Sequence, residues 1–296
     1  MSSAFLFDLP APAPNAAPTR MRPAPVHVDR RWFADVDRVT YLGTNAPAWL
    51  ERPEFGDDCI PLCIAHHRLD GRKSLPRAVT PWMQDSGGFM QLSQHGKWTF
   101  SPYTYAAATR RNFDEIGMMD VCAIQDWMCE DEILAKTGLT VYDHQIKTVA
   151  SYLNLMTLDA DLPWMPVIQG FTLDEYLRCI DLYDQVGVDL TREPVVGIGS
   201  VCRRQATGEA TRIIETLWSM GLRLHGFGYK MTGLRKVSHL LYSSDSMAWS
   251  LNAINREPTP GCTHKSCSSC PKYARAWRNQ MLNSLPDDHQ LLTLTA

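Results

Sequence analysis

Pro81-Trp82-Met83-Gln84-Asp85-Ser86-Gly87-Gly88-Phe89-Met90-Gln91 is the stretch on which the reading of this chain turns. An apolar run leads into a carboxylate. A small hydroxyl residue, two glycines and an aromatic follow. The pattern predicts a strand over 81–85 and then a tight turn. Paired glycines admit positive φ and let a backbone approach a ligand closely. Phe89 offers a flat face to a planar molecule, and it reads equally as a core residue. Taken alone, Asp85 reads first as a turn residue.

Working outward, seven more short apolar runs read as strands: 39–43, 60–65, 120–126, 165–169, 194–199, 222–228 and 240–245. Helical spacing lies between several of them, over 104–117, 172–187 and 209–221. The helix at 172–187 carries the clearest start signal, because Thr172 and Glu175 form a capping box. Strands alternating with helices imply a parallel sheet. Eight of them imply an α/β fold of the (β/α)8 TIM-barrel type, whose chemistry sits at the C-terminal strand ends. Asp85, Asp126, Gln169 and Asp245 all fall at such ends. Residues 1–30, rich in Pro and Ala, read as a disordered lead-in. Residues 31–296 then form a single barrel domain.

Composition sets further bounds. A hydrophobic content of 45% over 296 residues suits a globular core. No run approaches the ~18 consecutive apolar residues of a membrane span, and no basic region followed by a long apolar run marks a secretory signal. Nine cysteines, mostly single and in apolar runs, suit a reducing compartment. These features together predict a cytoplasmic protein with no membrane partner. The net charge of −3 argues against nucleic acid, but its distribution argues the other way. Residues 200–280 hold 12 Lys and Arg against 4 Asp and Glu. Such a basic third on an acidic body predicts a phosphate-binding face, including Arg203, Arg204, Arg235, Lys236, Lys272, Arg275 and Arg278.

A second chemical signal is Cys262-Thr263-His264-Lys265-Ser266-Cys267-Ser268-Ser269-Cys270. Three cysteines and a histidine in one short loop match the four S/N ligands of a structural Zn2+. The group Cys59, Cys63, His66 and His67 reads instead as barrel core plus a strand-end histidine, because strand neighbours point to opposite faces.

Asp85-Ser86-Gly87-Gly88-Phe89 resembles the signature of the tRNA-guanine transglycosylase superfamily, which exchanges guanine for a 7-deazaguanine base in nucleic acid. Other segments resemble the family in order. Val121–Asp126 is similar to its strand ending in a base-reading aspartate, 166–170 to its Val-Gln-Gly segment, and Gly197-Ile198-Gly199 to its glycine-rich strand end. Tyr242–Trp249 is similar to its nucleophile segment. The resemblance implies that Asp245 is a nucleophile forming a covalent glycosyl intermediate and that Asp85 handles protons. It implies a base pocket of Ser86, Gly87, Phe89, Asp126, Gln169, Gly170, Gly197, Gly199 and Gly226. Taken alone, Asp245 reads first as a helix N-cap. The family's metal pattern is Cys-x-Cys-x2-Cys, a helix, then His. Here the spacing is Cys-x4-Cys-x2-Cys, so the ligands implied are Cys262, Cys267 and Cys270 with His289 after a shortened helix, or else His264 inside the loop. His289 is the reading adopted, within a metal segment spanning 262–289.

The chain is shorter than the tRNA enzymes and lacks their extra RNA-binding domain. Phe227-Gly228-Tyr229-Lys230 replaces the usual Gly-Val-Gly continuation. These departures are closer to the DpdA-type branch of bacterial islands and phages, which inserts 7-cyano-7-deazaguanine or a derivative into DNA. The expectation is therefore a zinc-containing pentosyltransferase acting on DNA, in a bacterial or phage-infected cell. The alternatives are the same exchange on tRNA, of the queuine or archaeosine type, and a non-catalytic nucleic-acid-binding barrel. The presence of both Asp85 and Asp245 weighs against the last. A homodimer is left open.

Overall fold

The computed structural model describes residues 39–201, 204 and 207–286. The lead-in expected at 1–30 and the ligand candidate His289 lie outside the described residues. Nine strands are present among those described: β1 (Val39–Gly43), β2 (Leu62–Ala65), β3 (Trp82–Asp85), β4 (Met119–Ala123), β5 (Trp164–Met165), β6 (Val167–Ile168), β7 (Val196–Ile198), β8 (Leu224–Gly226) and β9 (Leu241–Ser246). The helices are α1 (Pro53–Asp57), α2 (Gly88–His95), α3 (Pro102–Ile116), α4 (Asp131–Thr137), α5 (Val141–Leu158), α6 (Leu173–Gln185), α7 (Gly208–Ser219), α8 (Met231–Val237), α9 (Ala248–Ile254) and α10 (Pro271–Leu282). Every strand pairing is parallel, in the order β5-β4-β3-β2-β1-β9-β8-β7-β6.

The two ends of that order are consecutive in sequence. Trp164 and Met165 pair with β4, whereas Val167 and Ile168 pair with β7. Pro166 between them has no N–H to give, but its carbonyl accepts from Gly197 N at 2.8 Å. The expected single strand at 165–169 is therefore one barrel stave broken at a proline, and the ring of eight staves closes through it. The fourth stave ends at Ala123, not at 126. Asp126 stands in the loop beyond, where its N–H bonds the Ile124 carbonyl at 3.0 Å. No α-helix separates β2 from β3, and a short 3-10 turn at His66–Arg68 serves instead.

Local rules account for the helices. Thr172 caps α6, and its capping box with Glu175 is complete. Ser101 caps α3 through Thr104 N. Alternation along the strands sorts the core into two layers. Val39, Tyr41, Cys63, Met83, Val121, Ala123, Met165 and Val195 fill the inside of the ring. Leu42, Leu62, Ile64, Trp82 and Cys122 face the helices. Asp85 therefore shares the inward face with Met83. Among the described residues no helix is long and apolar enough to cross a membrane.

Trp249 ties α9 to the ring. Its Nε1 donates to Gly43 O at 2.8 Å and its ring stacks on Trp49 at 5.4 Å. Trp249→Ala is expected to cost about 3–5 kcal/mol by urea denaturation, against about 1 kcal/mol for Thr172→Ala at the α6 cap. Equal losses would show that α9 is not anchored in this way.

Candidate active site

The C-terminal ends of the staves open on a cavity of ≈ 430 Å³, within the range of a small-molecule site. Asp85, Asp126, Glu130 and Asp245 line it, together with Ser86, Gly87, Phe89, Gly199 and Ser200. His67, Arg68 and Asn45 line it as well, from the staves beside Asp85 and Asp245.

Each carboxylate arrives by a local rule. Asp85 is the last residue of β3, and its Oδ2 accepts from Gly87 N at 3.1 Å. Gly87 has φ 78°, in the left-handed region that glycine tolerates, and so turns the chain into α2. That turn brings Phe89, 43% exposed, to the cavity. Asp245 lies near the end of β9, beside Tyr41 of β1. Its Oδ1 accepts from Gly228 N at 2.9 Å. Removal from water pushes Asp85 up to about 6, with the neighbouring negative charge of Asp245 as second cause. Asp126 is pushed up to about 7, first by burial and then by the charge of Asp85. The site thus holds carboxyl groups that titrate near neutrality, as acid–base chemistry requires.

A buried polar chain runs behind the cavity. Ser86 Oγ lies 3.5 Å from Asp126 Oδ1, and Gln169 Nε2 donates to Asp126 Oδ2 at 2.5 Å. Ser200 Oγ lies 2.8 Å from Gln169 Oε1 and 3.1 Å from Glu130 Oε2. It also accepts from Cys129 N at 2.7 Å. Ser200 has φ 57°, a left-handed conformation rare for a residue with a side chain. Both ends of the Gln169 amide are therefore spent inside the protein. Gln169 does not line the cavity; it orients Asp126.

The glycines expected to meet a base divide into two groups. Gly87 and Gly199 line the cavity, whereas Gly170, Gly197 and Gly226 do not. Their missing side chains make room for protein instead. A Cβ at Gly197 would lie 2.6 Å from the Phe227 ring, at Gly226 2.7 Å from the Tyr229 ring, and at Gly170 2.9 Å from Tyr176 N. At Gly199 it would lie 2.2 Å from Gln169 Nε2. Glu130, Ser200, Asn45 and Arg68 also line the site, and sequence reading passed over them. The near spacing of Glu130 to Asp126 was the one available signal.

A second cluster lies near the C-terminus. Ligand atoms of Cys262, His264, Cys267 and Cys270 all fall within 4.8 Å of one another. Cys262 Sγ and Cys270 Sγ are 3.8 Å apart, and His264 Nε2 is 3.1 Å from Cys267 Sγ. A tetrahedral ion with ~2.3 Å bonds to sulfur sets its thiolates ~3.8 Å apart, so this donor set fits a metal. His264 joins the cluster from within the loop. Cys267 and Cys270 pack on Ala253 and Tyr273, and Ser250 Oγ bonds Ser268 O at 2.7 Å. The loop thus braces α9 against α10.

The basic third does not form one open face. Arg275 pairs with Asp58, and Lys272 Nζ donates to Pro260 O at 3.0 Å. Arg278 is driven down to about 10 by burial, its Nε on Thr40 O at 3.3 Å. Arg204, with a side chain 11% exposed, lies over the Phe171 ring at 4.0 Å. Arg235 is exposed. Arg203 lies outside the described residues.

Asp126 permits a test of the site's electrostatics. Its folded value of about 7 exceeds the ordinary 3.8. The folded chain therefore binds this proton more tightly, and the stability so contributed is whole below about pH 4 and is lost as pH rises through about 7. Asp126→Asn cannot ionise and still accepts from Gln169. The variant is expected to flatten the fall in urea midpoint from about pH 5 to pH 8; an unchanged slope would remove Asp126 as its source.

Among curated proteins none matches the chain. Residues 36–295 match the family described as DpdA, DeoxyPurine in DNA protein A. That match spans nearly the whole chain, from before β1 to beyond α10, and includes every residue of the cavity and of the cysteine cluster. The chain belongs to the DpdA family.

Proposed function

We propose that the chain is a pentosyltransferase that exchanges guanine in DNA for a 7-deazaguanine base through a covalent aspartyl-glycosyl intermediate. The observation that carries this reading is the pairing of Asp85 and Asp245 across one base-sized cavity, close enough for the charge of one to raise the pKa of the other. The family's description, which names deoxypurine in DNA, supports DNA as the polymer.

In this reading Asp245 attacks C1′ of the deoxyribose. The N9–C1′ bond breaks, and its electron pair leaves with guanine, which takes a proton from Asp85. The incoming base returns a proton from N9 to Asp85 and attacks C1′. The C1′–O bond to Asp245 then breaks, and its electron pair restores the carboxylate. Splitting one displacement into two replaces one high barrier with two lower ones, as for retaining glycosidases. One group with a pKa of about 6 serves as acid in the first half and base in the second. Asp126 accepts hydrogen bonds from the donor edge of the base, and Phe89 stacks on its face at about 1–3 kcal/mol. The target base leaves its stack to enter, at a cost of a few kcal/mol when paired.

The metal is proposed to be Zn2+ held by Cys262, Cys267, Cys270 and His264. With all four positions filled by protein, it is structural. It would fix the loop that braces α9, the helix following Asp245.

The test is incubation with labelled guanine or 7-deazaguanine, with DNA and tRNA as competing acceptors. Label in DNA is expected, with a covalent protein–DNA adduct on a denaturing gel that is absent from Asp245→Asn. Label in tRNA alone overturns the DNA assignment, and exchange by Asp245→Asn overturns the nucleophile. Zinc analysis is expected to give about one equivalent, and Cys267→Ala to lose both metal and stability because metal binding is coupled to folding. Full zinc occupancy in His264→Ala would return the fourth position to His289.

A further inference from the structure

His225 is a buried titratable side chain that the reaction above does not use. It is fully buried on β8, inside the ring and below the cavity. Its Nδ1 lies 2.8 Å from Ser243 Oγ, on the neighbouring stave β9. Its Nε2 has no hydrogen-bond partner among the described residues. That nitrogen lies 3.4 Å from Asp245 Oδ1, just beyond the roughly 2.7–3.2 Å of an ordinary N–H···O bond. Its ring meets Phe227 edge-on at 4.8 Å and lies 6.2 Å from Tyr41.

A buried ring nitrogen without a partner costs free energy that the rest of the fold must offset, so its retention calls for an explanation. The other groups here have their own bonds. Ser243 is committed to Nδ1, and Tyr41 Oη donates to Asp120 Oδ2 at 2.5 Å. Asp245 Oδ1, 3.4 Å from Nε2, already accepts from Gly228 N at 2.9 Å. The two donors therefore converge on the same oxygen of the carboxylate.

We infer that His225 is a positioning residue for Asp245, holding Oδ1 so that Oδ2 is the oxygen that attacks C1′. The inference rests on the nucleophile reading above. In this role the Ser243 hydroxyl donates to Nδ1, so that the ring proton sits on Nε2, facing Oδ1. When the incoming base displaces Asp245, the C1′–Oδ2 bond breaks and its electron pair spreads over both carboxylate oxygens. Gly228 N–H and His225 Nε2–H then meet the charge that reaches Oδ1. A donor placed in advance where charge develops needs no reorganisation at that moment. Loss of the Nε2 donor should therefore slow breakdown of the intermediate more than its formation.

Two substitutions separate this role from packing. His225→Phe keeps an aromatic ring and removes the donor. His225→Gln removes the ring and keeps an N–H at a similar reach. If His225 only fills space, Phe serves and Gln does not; if it positions Asp245, the order reverses. His225→Phe is expected to lower kcat on the order of 10²-fold with KM little changed. The protein–DNA adduct should accumulate to a higher level than in wild type, with the thermal midpoint reporting that the barrel is folded. His225→Gln is expected to recover most of the lost rate and to return the adduct to its wild-type level. A Phe variant at the wild-type rate, or a Gln variant no faster than Phe, overturns the inference and leaves Asp245 as nucleophile. A wild-type chain that forms no adduct with DNA overturns the nucleophile reading and this inference with it.

Discussion

A closed ring of parallel strands has a dry interior and an open mouth, and side chains that point inward near the mouth must share it. That constraint governs this molecule. Met83 and Asp85 lie on the same face of β3, so the register that seats Met83 in the core also delivers Asp85 to the cavity. Asp245 comes to the same space from β9, with β2 and β1 between it and β3 in the ring. Burial there opposes ionisation of Asp85, and the nearby negative charge of Asp245 adds to the effect. The raised pKa of Asp85 is thus a consequence of where closure puts it. The same closure depends on Pro166, which interrupts a stave without interrupting the ladder, because its carbonyl still accepts from Gly197.

Behind the mouth, the polar groups are satisfied in series. Asp126, Gln169, Ser200 and Glu130 are each buried; Gln169 donates to Asp126, and the single Ser200 hydroxyl proton lies within reach of both Gln169 Oε1 and Glu130 Oε2. Left unpaired at that depth, any one of them would cost about 1–3 kcal/mol. The chain orients Asp126 by using both ends of the Gln169 amide. Space for that amide comes from Gly199, where a side chain would occupy the room the amide fills. Glycine here serves side-chain packing as well as ligand approach. The same holds at Gly197 and Gly226, whose neighbours are Phe227 and Tyr229.

The C-terminal third works largely as a brace. Arg278 reaches Thr40 O on β1, Arg275 meets Asp58, and Lys272 caps the Pro260 carbonyl. These contacts hold α10 across the first stave, while the cysteine loop holds α10 to α9. Trp249 carries the connection to Gly43. A local excess of cations in sequence has become structural glue in several places. Cations at the cavity come instead from β2's end, where Arg68 bonds Asn45 at 3.0 Å.

Features that depend on neighbours along the chain are legible in the residues alone. Strand alternation put Asp85 at a stave end, the Thr172-Glu175 box placed a helix start, and close cysteine spacing marked a loop whose donor atoms cluster. Such signals are local because strand and helix periods are local. The tertiary structure decided what depends on partners far apart in the chain. Gln169 meets Asp126 across 43 residues and Ser200 meets Glu130 across 70, so neither bond has a sequence period to reveal it. The same distance hid the ion pairs that occupy Arg275 and the space that Gly197 yields to Phe227. Sequence places His225 toward the end of the seventh strand run, 222–228, and gives it no partner. Only the register of β8 against β9, and the closure of the ring behind them, sets its unpaired nitrogen beside Asp245.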